Sequence, residues 1–192
     1  MFVDFNTISP GANDNLTGTY AAVCALRMLD MAGIDFENTE VCAMITDGEE
    51  AGLRGCKQWA KDHYDEYVNS GVETVVLCVD TLADLEYLRV YNKDMTGTVK
   101  NNQQFSQLVM DSAKDSGHND LEFSSVYFGS SDAAAFSQAG ITATCLAAMD
   151  PKPADYYHNR RDTAERLVPE AIKTGFDVII STILNFDEKG LN

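Results

Sequence analysis

Four acidic side chains and one histidine carry the chemistry that can be read from this sequence. Asp14 lies in GANDNLTG, which opens the first helical run. Glu49 and Glu50 follow the apolar segment 40–46 in TDGEE, Asp80 closes TVVLCVD, and His158 stands in YYHNRRDT ahead of the last helix. All sit at strand ends or helix starts, and open α/β sheets gather their ligands beyond the carboxyl ends of the strands. Carboxylate oxygens with an imidazole nitrogen suit zinc, with cobalt or manganese as substitutes. Adjacent glutamates can divide the work, one binding the ion while the other takes a proton from the activated water. Zinc lowers the pKa of such a water to about 7, and a positioned carboxylate adds roughly 10² to 10⁴ in rate.

Taken singly, each residue has a plainer role. Glu49 and Glu50 suit the positive end of a following helix. Asn13, Asp14 and Asn15 are ordinary turn and cap residues, Asp80 can turn the chain, and His158 can be a loop histidine. The metal reading rests on their convergence. His63 falls in a helical stripe with Trp59 and Tyr67, and His118 in the polar turn KDSGHND, so both are read as structural. Tyr156, Tyr157, Arg160 and Arg161 are read as a solvated loop ahead of a substrate mouth.

The elements that must position these groups alternate in period. Ala22, Leu26 and Leu29 predict a helix over 16–31, stopped at Gly33. Segments 40–46, 74–79, 85–91, 121–128 and 141–146 read as strands. Leu53, Cys56, Trp59, Ala60, His63, Tyr64 and Tyr67 predict a second helix, and Phe105, Leu108, Val109 and Ser112 a third. The last helix carries Ile172, Phe176, Ile179, Ile180 and Ile183 on its apolar face, with Asp162 and Glu165 as a capping box. Such alternation predicts a three-layer α/β/α fold with a mixed, mostly parallel central sheet. Residues 1–192 read as a single domain.

Composition narrows the function. The chain is 45% hydrophobic and 23% charged, which is globular, and 14 basic against 30 acidic residues give a net charge of −16. That charge repels phosphate backbones and anionic lipid, so no nucleic acid and no membrane partner is expected. The N-terminus lacks a signal-peptide pattern. Five widely spaced cysteines suggest reduced core residues, and a cytoplasmic setting is the expectation.

The strings GANDNLTG, TDGEEAGLRG, VVLCVD, GSSDAAAFSQAGITA and YYHNRRDTAERL, in this order over nearly the whole chain, resemble the M28 family of zinc aminopeptidases. The resemblance implies a phosphorylase/hydrolase-like zinc peptidase fold that removes N-terminal residues from peptides. It implies that Asp14 is the carboxylate bridging two metals, its bond to Asn15 often cis. Glu49 would be the general base, Glu50 and His158 ligands of the first metal, and Asp80 a ligand of the second. Asp132 would support the pocket without ligating.

The family's further histidine, in an HxD motif, falls in register on Phe2-Val3-Asp4, where Phe2 cannot bind metal. Family members also carry more sequence upstream, which implies an N-terminally truncated catalytic domain. The expectation is therefore one tightly bound zinc, with the second position weak or empty. A sheet stripped of early strands would bare an edge and invite homo-oligomers. Two alternatives stand beside the peptidase: a single-zinc acyl transferase of the glutaminyl cyclase kind, and a degenerate non-catalytic module for binding or assembly.

Overall fold

The computed structural model describes residues 8–191, and Phe2 and Asp4 of the HxD register lie outside them. Five strands, β1 (Val75–Asp80), β2 (Leu88–Asp94), β3 (Val99–Lys100), β4 (Phe123–Ser125) and β5 (Thr142–Ala148), form one sheet. The order runs β1-β5-β2-β3, and β4 pairs with β2 off this path. β1 runs parallel to β5 with Val75 opposite Thr142, and β4 parallel to β2, whereas β2 is antiparallel to both β5 and β3. The sheet is mixed as expected, with the parallel and antiparallel pairings evenly divided among the described residues.

Alternation along the strands builds two cores. Val75, Leu77 and Val79 of β1 face a cluster with Val90 and Leu146, covered by α1 (Gly18–Met31), α4 (Gln103–Asp115) and α6 (Pro169–Lys189). Val76 and Cys78 face the other way, with Tyr91 and Cys145, under α2 (Arg54–Asp62) and α5 (Asp132–Gln138). Helices on both faces of one sheet make three layers. The buried row of α1 is Ala21, Ala25 and Leu29, shifted from the expected Ala22 and Leu26, because small residues let this helix lie close on β1.

Four expected elements differ, of which segment 121–128 keeps only Phe123–Ser125 as strand β4. The second helix breaks at His63 (φ −109°), leaving α2 and the short α3 (Tyr64–Tyr67). Segment 85–91 splits into a helical turn, Leu85–Tyr87, and the start of β2. Segment 40–46 forms no ladder, and Ile45 is 56% exposed. Its β-like composition is real, but a strand needs a neighbour, and β1 pairs with β5 alone among the described residues. The segment instead borders a groove of about 760 Å³ whose other wall is β1.

The join between α1 and β1 is bonded through asparagines. Asn15 donates from Nδ2 to the Val79 carbonyl and accepts from the amides of Gly18 and Thr81, while Asn13 Oδ1 accepts from Ala83. Gly18 is required there, since a Cβ would collide with the Val79 carbonyl oxygen and the Asn15 side chain. Gly18→Ala is expected to cost about 1–3 kcal/mol, the usual range for overpacking a rigid contact, read as a lower urea midpoint.

Candidate metal centre

Asp14 belongs to an irregular turn, Ala12–Thr17, in which Asp14 (φ −110°, ψ 93°) and Asn15 (φ −135°, ψ 52°) leave helical geometry; the bond between them is cis. Asp47-Gly48-Glu49-Glu50 turns back onto the start of α2, where Gly55 lets the Asp47 carbonyl approach closer than any side chain would allow. The Gly55 amide donates to that carbonyl at 2.9 Å. His158 has a left-handed backbone (φ 56°), unusual for a non-glycine residue, and its ring stacks on Tyr157 at 3.7 Å between centroids.

These loops bring three of the expected residues together. One ligand atom from each of Asp14, Glu50 and His158 lies within 4.8 Å of the others. His158 Nε2 is 3.0 Å from Asp14 Oδ2 and 2.8 Å from Glu50 Oε1, yet neither oxygen meets it with hydrogen-bond alignment. The contact is an ion pair, with the nitrogen pointed between two carboxylates. These hold the imidazolium, Asp14 foremost and Glu50 next, and raise the His158 pKa to about 10 against the opposing effect of burial.

Glu49 lines the same groove and is half-buried; burial first, then the charges of Glu50, Asp132 and Asp14, push its carboxyl up to about 8. Asp80, at the end of β1, is raised well above the carboxylate range by burial and by Asp14, and its Oδ1 has no hydrogen-bond partner. It stands outside the three-residue group. Asp132 accepts from Thr46 Oγ1 at 2.7 Å.

Other expectations resolve plainly. His63 stacks on Trp59 and pairs with Glu66, and His118 pairs with Asp177, so both are engaged elsewhere. The capping box at Asp162 is not formed. Residues 164–166 make a single turn, α6 starts at Pro169, and the Asp162 carboxylate instead accepts from the amides of Asn13 and Asp14. Local spacing suggested the cap; no local pattern marks an acceptor for amides nearly 150 residues away. Tyr157, expected in a solvated loop, packs on His158, and no signal beyond its place beside that residue marks it.

An imidazole set between two carboxylates at the rim of a mixed sheet, with unpartnered acid oxygen nearby, is a donor set that could hold a metal ion. Comparison with family models is more specific: peptidase family M28 matches residues 3–183, and the chain belongs to that family. Comparison with curated proteins finds no match.

Among solved structures, the Legionella pneumophila LapA aminopeptidase superposes with a TM-score of 0.76 at 17% identity, covering 94% of this chain and 48% of that one. BSAP, a zinc aminopeptidase from Bacillus subtilis, gives 0.65 at 22%, covering 91% and 42%. An Acidobacteriales bacterium glutaminyl cyclase gives 0.68 at 16%, covering 94% and 63%. These likenesses establish the fold, and the chain spans about half the length of the aminopeptidases. No described helix is long and apolar enough to cross a membrane.

Proposed function

We propose that this chain is a metal-dependent aminopeptidase that hydrolyses the first peptide bond of a peptide. The observation that carries the reading is the Asp14–His158–Glu50 cluster, whose nitrogen and two oxygens converge without hydrogen-bond alignment. Two oxygens and one nitrogen fit zinc, and three protein ligands leave a fourth position for water or substrate. When bound, zinc would acidify a water and polarise the scissile carbonyl.

The chain's own residues do the rest. Asp14, Glu50 and His158 would hold the ion, and Tyr157 packs flat against the imidazole and limits its rotation. Glu49 accepts the proton released by the attacking water and returns it to the leaving amine; burial and the neighbouring carboxylates strengthen its hold on a proton. The groove beside β1 offers room for the substrate chain.

Asp80 and Asp14 would form a second position, with too few ligands among the described residues for firm binding. Protein purified without chelator is expected to hold about one equivalent of zinc by elemental analysis. A firmly held second equivalent would contradict this assignment.

The glutaminyl cyclase likeness gives a second reading, acyl transfer at one zinc. Glutamine-initiated peptides releasing ammonia in place of a free amino acid would favour it. Five free cysteines accord with a reducing, cytoplasmic setting. The edge of β1, unpaired among the described residues, accords with self-association, which light scattering would detect.

A further inference from the structure

We propose that Asp162 is the positioning residue that sets Asp14 against His158, and so fixes the geometry in which a cation is gripped. The proposal rests on the metal reading above. Three successive amides at the start of the Asp14 turn all end on this one residue. Ala12 N–H donates to the Asp162 carbonyl at 3.2 Å, Asn13 N–H to Oδ1 at 2.8 Å and Asp14 N–H to Oδ2 at 3.0 Å.

Amides at the start of a helical turn have no partner within it, and a carboxylate accepts from two of them at once more strongly than a neutral group. Asp162 is 1% exposed, and burying a charge costs several kcal/mol unless its bonds are satisfied. Helix capping does not account for this burial, because α6 begins seven residues later.

On its other side Asp162 closes the His158 loop. Its amide donates to the Asn159 carbonyl at 3.1 Å, and that carbonyl also accepts from Ser9 Oγ. The Asn159 side chain accepts from the Arg161 amide and donates to the carbonyls of Asp155 and Tyr157. Loop 155–162 is thus cross-bonded within itself, and Asp162 is the point at which it grips the Asp14 turn. If that bond pair is lost, Asp14 and His158 keep their side chains but lose their common frame.

The test compares Asp162→Asn, nearly isosteric but with an NH₂ in place of one acceptor oxygen, with Val109→Ala. Val109 is a fully buried residue of α4 in the core beneath α6, and its truncation serves as a stability control. Zinc affinity is measured by competition with a chromophoric chelator, the visible spectrum of the cobalt-substituted protein reports ligand geometry, and thermal melting of metal-free protein reports fold stability.

Asp162→Asn is expected to weaken zinc about 10- to 100-fold, the range found for outer partners of metal ligands, and to shift the cobalt bands. Val109→Ala should lower the melting temperature with affinity and spectrum unchanged. Unchanged affinity and spectrum in Asp162→Asn would overturn the proposal, as would an affinity loss that Val109→Ala reproduces. Wild-type protein that takes up no zinc would instead overturn the metal reading itself. If Asp162→Asn does not fold, Asp162→Ser, which keeps one acceptor, is read in the same way.

Discussion

Glu49→Gln is expected to bind zinc as the wild type does and to hydrolyse aminoacyl p-nitroanilides about 10²- to 10⁴-fold more slowly in kcat. The substitution keeps the shape and removes only the basic oxygen. Glu49 lies outside the three-residue cluster, so the ion should stay. Its environment favours the role, because burial and three neighbouring carboxylates make the proton easier to hold than on an exposed glutamate. The same neighbours argue against a structural role, since an acid kept among Glu50, Asp132 and Asp14 for packing alone would be better replaced by an amide. Wild-type kcat in Glu49→Gln, with zinc retained, would remove Glu49 from the mechanism.

His158→Ala is expected to abolish tight zinc binding, with a loss beyond the 10- to 100-fold typical of an outer partner, and turnover with it. His158 supplies the only nitrogen of the cluster, and without it Asp14 and Glu50 face each other with no cation between them. His63→Ala and His118→Ala, whose rings are committed to Trp59 and Asp177, should bind zinc normally.

The pH dependence has a definite sign. The His158 pKa is raised to about 10 in the metal-free protein, so at pH 7 the ring is protonated and zinc must displace that proton. Uptake should therefore acidify a weakly buffered solution, and affinity should fall as pH falls. Zinc affinity independent of pH between 6 and 8, or retained in His158→Ala, would exclude the imidazole as a ligand.

The meeting of Asp14, Glu50 and His158 was legible because their places depend on chain order. Asp14, Glu50 and His158 each stand in a local pattern, a turn before a helix, an acidic turn after a β-like segment and a loop before a helix, though the β-like segment before Glu50 forms no strand. The fold class followed from alternating periods in the same way. What could not be read depends on partners distant in the chain. Segment 40–46 has the composition of a strand, but pairing belongs to two segments, and the edge of β1 beside it is free among the described residues. Asp162 and Glu165 match a cap pattern, yet the carboxylate is claimed by the Asp14 turn. α5, with its run of alanines between two loops, shows no stripe because it is buried nearly all round against β5 and α2.

Exposure differs sharply around the cluster: the side chains of Asp14 and His158 are 15% and 23% exposed, whereas that of Glu50 is 59% exposed. Two claws of the grip are sheathed and the third stands at the doorway. An ion seated here would come and go on the Glu50 side without the fold opening. Dialysis against a chelator should therefore strip it within the lifetime of the native state, and restored zinc should refill the same seat.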